Sequence, residues 1–195
     1  MSMALGRYRW RHDQVLRELA DIIEKERKKR GQKRDSKYIK FVKEGDPTKV
    51  KKPSEQKSIL DSATLWEMQV DLVRRLVRPD VVNNNLRPDI VLWSHEGKEI
   101  IMVELTVPWE ERCEVAYQRK KIKYQDLADD ICSKGWSAWV FPVEIGCGGF
   151  PAQSTWRAMT VLGIKGKERK AGIQRLSTTA EKSSFWLWWG RALQS

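Results

Sequence analysis

The chain has 195 residues, 41% of them hydrophobic and ten of them Trp, with a formal net charge of +11. That length suits one domain with an appendage and leaves room for a sizeable core. Three cysteines without a CxxC pair, beside only two histidines, argue against a disulfide framework or a structural zinc site. No apolar run approaches the roughly 20 residues that span a bilayer, and "MSMALGRYRWRHD" lacks the apolar stretch of a signal peptide. The expectation is a soluble chain in a reducing compartment, nuclear or cytoplasmic.

In chain order, Val15, Leu16, Leu19, Ile22 and Ile23 recur at helical spacing, so a helix is predicted from Gln14 to Lys29, capped by Asp13 and ended by Gly31. Between Lys25 and Lys57 fourteen Lys/Arg stand against five Asp/Glu, which concentrates nine of the eleven net charges there. This segment reads either as an arm that meets a polyanion, with Lys28, Lys29, Arg30, Lys33 and Arg34 as DNA-binding candidates, or as a solvated linker. It has room for one short strand at Tyr38–Val42. Residues 1–57 are accordingly read as N-terminal helix and arm, and 58–195 as the main domain.

In "TLWEMQVDL", Trp66, Met68, Val70 and Leu72 alternate as in a strand, although Leu65, Met68, Leu72 and Leu76 also fit a helix. A strand is preferred, because Pro79 breaks a long helix. Arg87–Trp93 and Lys98–Val107 are two further strands, and Pro108 stops the second. Glu110–Lys134 reads as one helix closed by Gly135, and Trp136–Ile145 as a fourth strand. The turn "GCGGFP" and helices at Ser154–Leu162, Ala171–Thr179 and Ala180–Leu193 complete a mixed α/β order. The terminal "FWLWW" is expected to close a core, although such a cluster can also stack bases.

The second and third strands carry an acid each. A tight turn centred on Glu96-Gly97, with Gly supplying positive φ, pairs residues whose numbers sum to 193. Asp89 and Glu104 do so, which sets their Cβ atoms roughly 4.5–5.5 Å apart. Facing carboxylates repel unless a cation sits between them, and Mg²⁺ suits such a pair because it takes few protein ligands. Alternation places Thr106 on the face of Glu104, with Val103, Leu105 and Val107 on the other.

On the next helix, Cys113, Tyr117, Lys120, Tyr124, Leu127 and Ile131 form one stripe. A lysine inside a buried stripe needs a partner, or it snorkels to water. If Lys120 points at the acids, the set is one for phosphodiester hydrolysis: a metal activates water, and the ammonium stabilises charge building on phosphorus. Tyr124 is placed to orient Lys120 or a phosphate oxygen, while Lys121 and Lys123 suit solvent or phosphate. Glu144, among apolar neighbours in "PVEIG", is either a third site acid or an edge-strand charge.

"RPD", fourteen residues and then "ELT" resembles the PD-(D/E)xK nuclease superfamily. Within it, the likeness is to the restriction-like endonuclease domain at the C-terminus of non-LTR retrotransposon reverse-transcriptase proteins, where a lysine and a tyrosine follow on the helix, here Lys120 and Tyr124 in "KKIKY". "RYRWRHDQVL" resembles the RHD segment that precedes that nuclease, carried by Arg11, His12 and Asp13. The resemblance implies a restriction-endonuclease-like fold, a Mg²⁺ or Mn²⁺ cofactor held by Asp89 and Glu104, and a catalytic set of Asp89, Glu104, Lys120 and Tyr124. It also implies nicking of duplex DNA for a reverse-transcriptase domain of the same element. The superfamily's lysine two residues after the acid is replaced by Thr106, so the alternative is an inactive DNA-binding module of a decayed or domesticated element. Without Cys partners, His12 itself reads as a helix-start residue.

Overall fold

The computed structural model describes residues 3–35, 58–72 and 86–192; the expected Tyr38–Val42 strand lies outside them. Helix α1 (Met3–Asp35) leads through a 3-10 turn at Ile59–Asp61 into strand β1 (Glu67–Val70). Strands β2 (Ile90–Ser94) and β3 (Glu99–Thr106), helix α2 (Cys113–Ser133), strand β4 (Ser137–Glu144), and helices α3 (Gln153–Val161) and α4 (Gly166–Ala192) follow. The described part is mixed α/β: a sheet of order β1-β2-β3-β4 in which β1, β2 and β3 run antiparallel and β4 pairs parallel to β3. The parallel pair follows from the α2 crossover, since parallel strands need a long connection.

Alternation along the strands builds two cores, one on each face of the sheet. Ile90, Leu92, Ile101, Val103 and Leu105 pack with Val15, Leu16, Leu19 and Ile23 of α1 and with Leu176 and Ala180 of α4. On the opposite face Val91, Trp93, Ile100 and Met102 meet Tyr124, Leu127 and Ile131 of α2. All five strand residues of β2 are therefore buried, as expected of a strand covered on both sides. The apolar stripe of α1 lies in the same core as the sheet, so this helix is integral to the packed unit.

Several boundaries differ from expectation, each for a physical reason. Asp13 is no cap but lies well inside α1, because Arg11 and His12 bind carbonyls at the C-terminal end of β3 and extend the helix beyond its apolar stripe. Gly31 is spanned rather than terminal; a glycine inside a helix costs only about 1 kcal/mol. The two C-terminal helices are one continuous α4, whose Leu176, Ala180 and Ser183 face inward.

The "FWLWW" expectation fails: Phe185, Trp186, Trp188 and Trp189 are all exposed. Consecutive aromatics on a helix fan around its axis, so one core-facing stripe does not take them all. In the hairpin turn, positive φ falls on Lys98 (49°) instead of Gly97. Gly97 is needed for a different reason: a Cβ there would meet the Ala63 Cβ at 3.0 Å.

Candidate active site

The hairpin register sets the acids. Ile90 pairs with Val103, Val91 with Met102 and Leu92 with Ile101, all summing to 193. Continued by one residue, the register brings Asp89, just before β2, opposite Glu104. A backbone bond holds it there: the Leu105 N–H donates to Asp89 Oδ2 at 2.7 Å. Glu104 lies on the α2 face with Ile100 and Met102, only 4% exposed.

The stripe on α2 brings three donors to Glu104. Lys120 Nζ bonds Glu104 Oε1, and the Tyr124 hydroxyl, 3.1 Å from the Arg87 carbonyl, donates to Glu104 Oε2 at 2.8 Å. Lys123 lies 3.7 Å from Glu104 Oε1 and 3.0 Å from the Tyr124 oxygen. Tyr124 thus orients the acid rather than Lys120, and Lys123 belongs to the cluster instead of merely flanking it. Lys121 is exposed, on the lip of a neighbouring cleft.

Burial raises the Glu104 pKa, and the charge of Asp89 raises it further, against the pull of Lys120 and Tyr124. Burial, followed by the charge of Glu104, likewise lifts the Tyr124 phenol, so it stays a donor.

From α1 comes a residue whose role the sequence did not reveal. His12 Nε2 lies 3.3 Å from both Asp89 Oδ2 and the Leu105 carbonyl, and Nδ1 lies 3.3 Å from Asp13 Oδ1. Both ring nitrogens face acceptors, which makes the ring an imidazolium. Burial acts to lower its pKa, but the hydrogen bond and charge of Asp89, then those of Asp13, outweigh that and raise it to about 9. Arg11 beside it donates to the Val107 carbonyl at 2.7 Å. The only sequence signal for this contact was the RHD segment, which carries no periodicity.

The two acids are thus met from opposite sides, by Lys120 from α2 and by His12 from α1. Among the described residues no three His, Cys, Asp or Glu side chains form a metal cage. A Mg²⁺ or Mn²⁺ ion, which keeps several waters, fits two facing carboxylates; the Lys120 and Lys123 side chains on their flexible stems are the donors able to make way for it.

The basic candidates on α1 have separate fates. Lys28 is exposed and lies 3.2 Å from Glu24, and Lys29 pairs with Glu168. Arg30 is turned inward, bonding Glu26 at 2.7 Å and Asp61. Lys33 and Arg34 lie in the last turn of α1. Glu144 is not an edge-strand charge open to solvent: it is fully buried on β4 beside Thr106 of β3. No protein-family model and no curated protein matches the sequence.

Proposed function

We propose that the chain is a metal-dependent DNA endonuclease of the PD-(D/E)xK, restriction-endonuclease-like kind, which nicks duplex DNA for a reverse-transcriptase domain of the same retroelement. The supporting observation is the pair of Asp89, partly buried, and Glu104, buried, set facing by the strand hairpin and met by Lys120 from the following helix. Each acid has a cationic partner of its own, Asp89 in His12 and Glu104 in Lys120, yet the two carboxylates stand side by side, an arrangement that a divalent cation shared between them would use.

Bound Mg²⁺ or Mn²⁺ supplies a lowered pKa for a coordinated water and screening of the phosphate's charge. The protein does the rest. The Leu105 N–H and His12 fix the Asp89 carboxylate, and Tyr124 fixes that of Glu104. Lys120, released from Glu104, offers its ammonium to the charge that builds on the phosphorus oxygens. Exposed Lys121 and Lys123, with exposed Lys28 and the basic residues that follow Arg30 in the sequence, meet the DNA backbone and set register rather than sequence preference.

A second reading has its own observation: Thr106 occupies the position of the superfamily's lysine, and both acids already have internal cationic partners. On that reading the fold binds DNA without cutting it. Plasmid nicking in Mg²⁺ or Mn²⁺, absent from the Asp89→Asn and Glu104→Gln variants, supports the endonuclease; DNA binding without nicking in either metal supports the module.

A further inference from the structure

Three arginines meet in a cleft of about 400 Å³ between the start of α1 and the first turns of α2. Arg11, Arg112 and Arg119 line it, and no Asp or Glu does. Arg11 is a fixed charge, held by the Val107 carbonyl at 2.7 Å and the Ser184 hydroxyl at 3.2 Å. Arg112, Val115 and Arg119 are all exposed, and their spacing of three and four puts them on one stripe. Elsewhere in the fold Arg27, Arg30 and Arg175 pair with carboxylates. Arg112 and Arg119 form no ion pair among the described residues. A concave cationic surface without acids attracts a polyanion.

Aromatic rings accompany the charge. Trp109, on the connection that leaves β3 after Pro108, is 67% exposed, and Tyr8 of α1 is 46% exposed; both line the cleft. The Arg11 guanidinium lies 5.4 Å from the centre of the Tyr8 ring, which steadies that ring as a platform. A neighbouring hollow shares Tyr8, Arg11 and Trp109 and adds Phe185 and Trp188, two of the rings that α4 leaves exposed. Glu110 and Glu181 line that hollow, so it is the less cationic of the two. Arginines beside open ring faces are the elements that hold phosphates and bases together.

We infer that this cleft binds single-stranded nucleic acid, with phosphates on Arg112 and Arg119 and unpaired bases stacked on Trp109 and Tyr8. In a duplex each base face is covered by its neighbours, so only an unpaired base offers a face to a protein ring. The planar fork of arginine matches phosphate oxygens. An acidic peptide would satisfy the charge but leave the rings without flat partners. The cleft adjoins the acid pair: Arg11 precedes His12, which meets Asp89, and Arg119 precedes Lys120, which meets Glu104. A strand lying in it runs past both carboxylates. Binding there goes beyond the nuclease reading and does not require cleavage.

Fluorescence anisotropy of a labelled oligothymidylate, and of a labelled duplex of the same length, titrated with the full chain in metal-free buffer tests it. Without metal the outcome is independent of nicking. Trp109→Ala should weaken the single strand about tenfold and change duplex affinity less than about twofold, while Trp109→Phe, which keeps a ring, should restore most of the loss. Arg119→Gln should weaken the single strand and lower its slope of log affinity against log salt by about 0.7. Both side chains are exposed, so these substitutions leave the fold in place. Three results overturn the inference: no loss from Trp109→Ala, equal loss for single strand and duplex, or displacement of the oligothymidylate by polyglutamate as readily as by unlabelled oligothymidylate. The last would make the cleft a surface for acidic protein.

Discussion

Replacing His12 by Gln keeps a side-chain N–H within reach of Asp89 but removes the imidazolium charge, which gives a pH-dependent cost. His12 has its pKa raised from 6.5 to about 9 in the folded chain. At about 1.4 kcal/mol per unit, the full shift corresponds to about 3 kcal/mol. With the side chain 26% exposed, solvent screening reduces this to about 2 kcal/mol. A folded pKa above the unfolded one means that the folded state binds the proton more tightly. The stabilisation is therefore complete below pH 6.5 and disappears as the pH rises through about 9. Urea unfolding of wild type and His12→Gln across this range isolates the contribution, because other titrating groups cancel in the difference. The difference should be largest near about pH 6 and close to zero above about pH 10. A constant difference, or one growing with pH, would refute the charged contact between His12 and the acid pair.

Other outcomes follow from the same geometry. Lys120→Ala should lose cleavage while keeping metal binding, whereas exposed Lys121→Ala should lose little of either; equal cleavage by wild type and Lys120→Ala in a plasmid assay reassigns the lysine to structure. Although relief of the facing charges alone would leave Glu104→Gln neutral or slightly stabilising, it should cost about 1–3 kcal/mol without metal, because it leaves the Lys120 ammonium poorly paired. Thermal or urea unfolding reads this directly, and a gain in stability contradicts the pairing. Exchange of residues 36–57, with seven Lys against three Asp/Glu, for an uncharged linker should flatten the salt dependence of DNA affinity without unfolding the domain. An unchanged slope would move DNA binding to other surfaces. Removal of the whole Lys25–Lys57 segment is a poor test, since Arg27 and Arg30 are bonded into the fold.

The strand hairpin was legible in advance because two apolar runs flank a short turn whose length sets the register, and with both faces covered a one-residue slip would swap Leu92 and Ile101 into the other core. Placement of positive φ in its turn was not, since a four-residue connection can put the left-handed residue at Lys98 while preserving the same pairing. The α2 stripe revealed Lys120 because a charge among apolar positions stands out. His12 stayed hidden because its partners are 77 and 93 residues away and it lies outside the apolar stripe of α1. For Glu144, burial depended on the tertiary cover that α2 and α3 give β4, which local pattern does not encode. The aromatic run near the C-terminus misled for the complementary reason: composition counts apolar residues, and helix geometry decides how many reach the core.

The central claim is that Asp89 and Glu104 form one metal-dependent hydrolytic site. Supercoiled plasmid incubated with the purified full chain and Mg²⁺ or Mn²⁺ tests it most directly, with Asp89→Asn and Glu104→Gln run beside wild type and DNA binding measured for each. The account predicts open-circle product from wild type only in the presence of divalent metal, none from either variant, and DNA binding retained by all three. Nicking that persists in Asp89→Asn or Glu104→Gln, or wild type that binds DNA but leaves it intact in both metals, would contradict it.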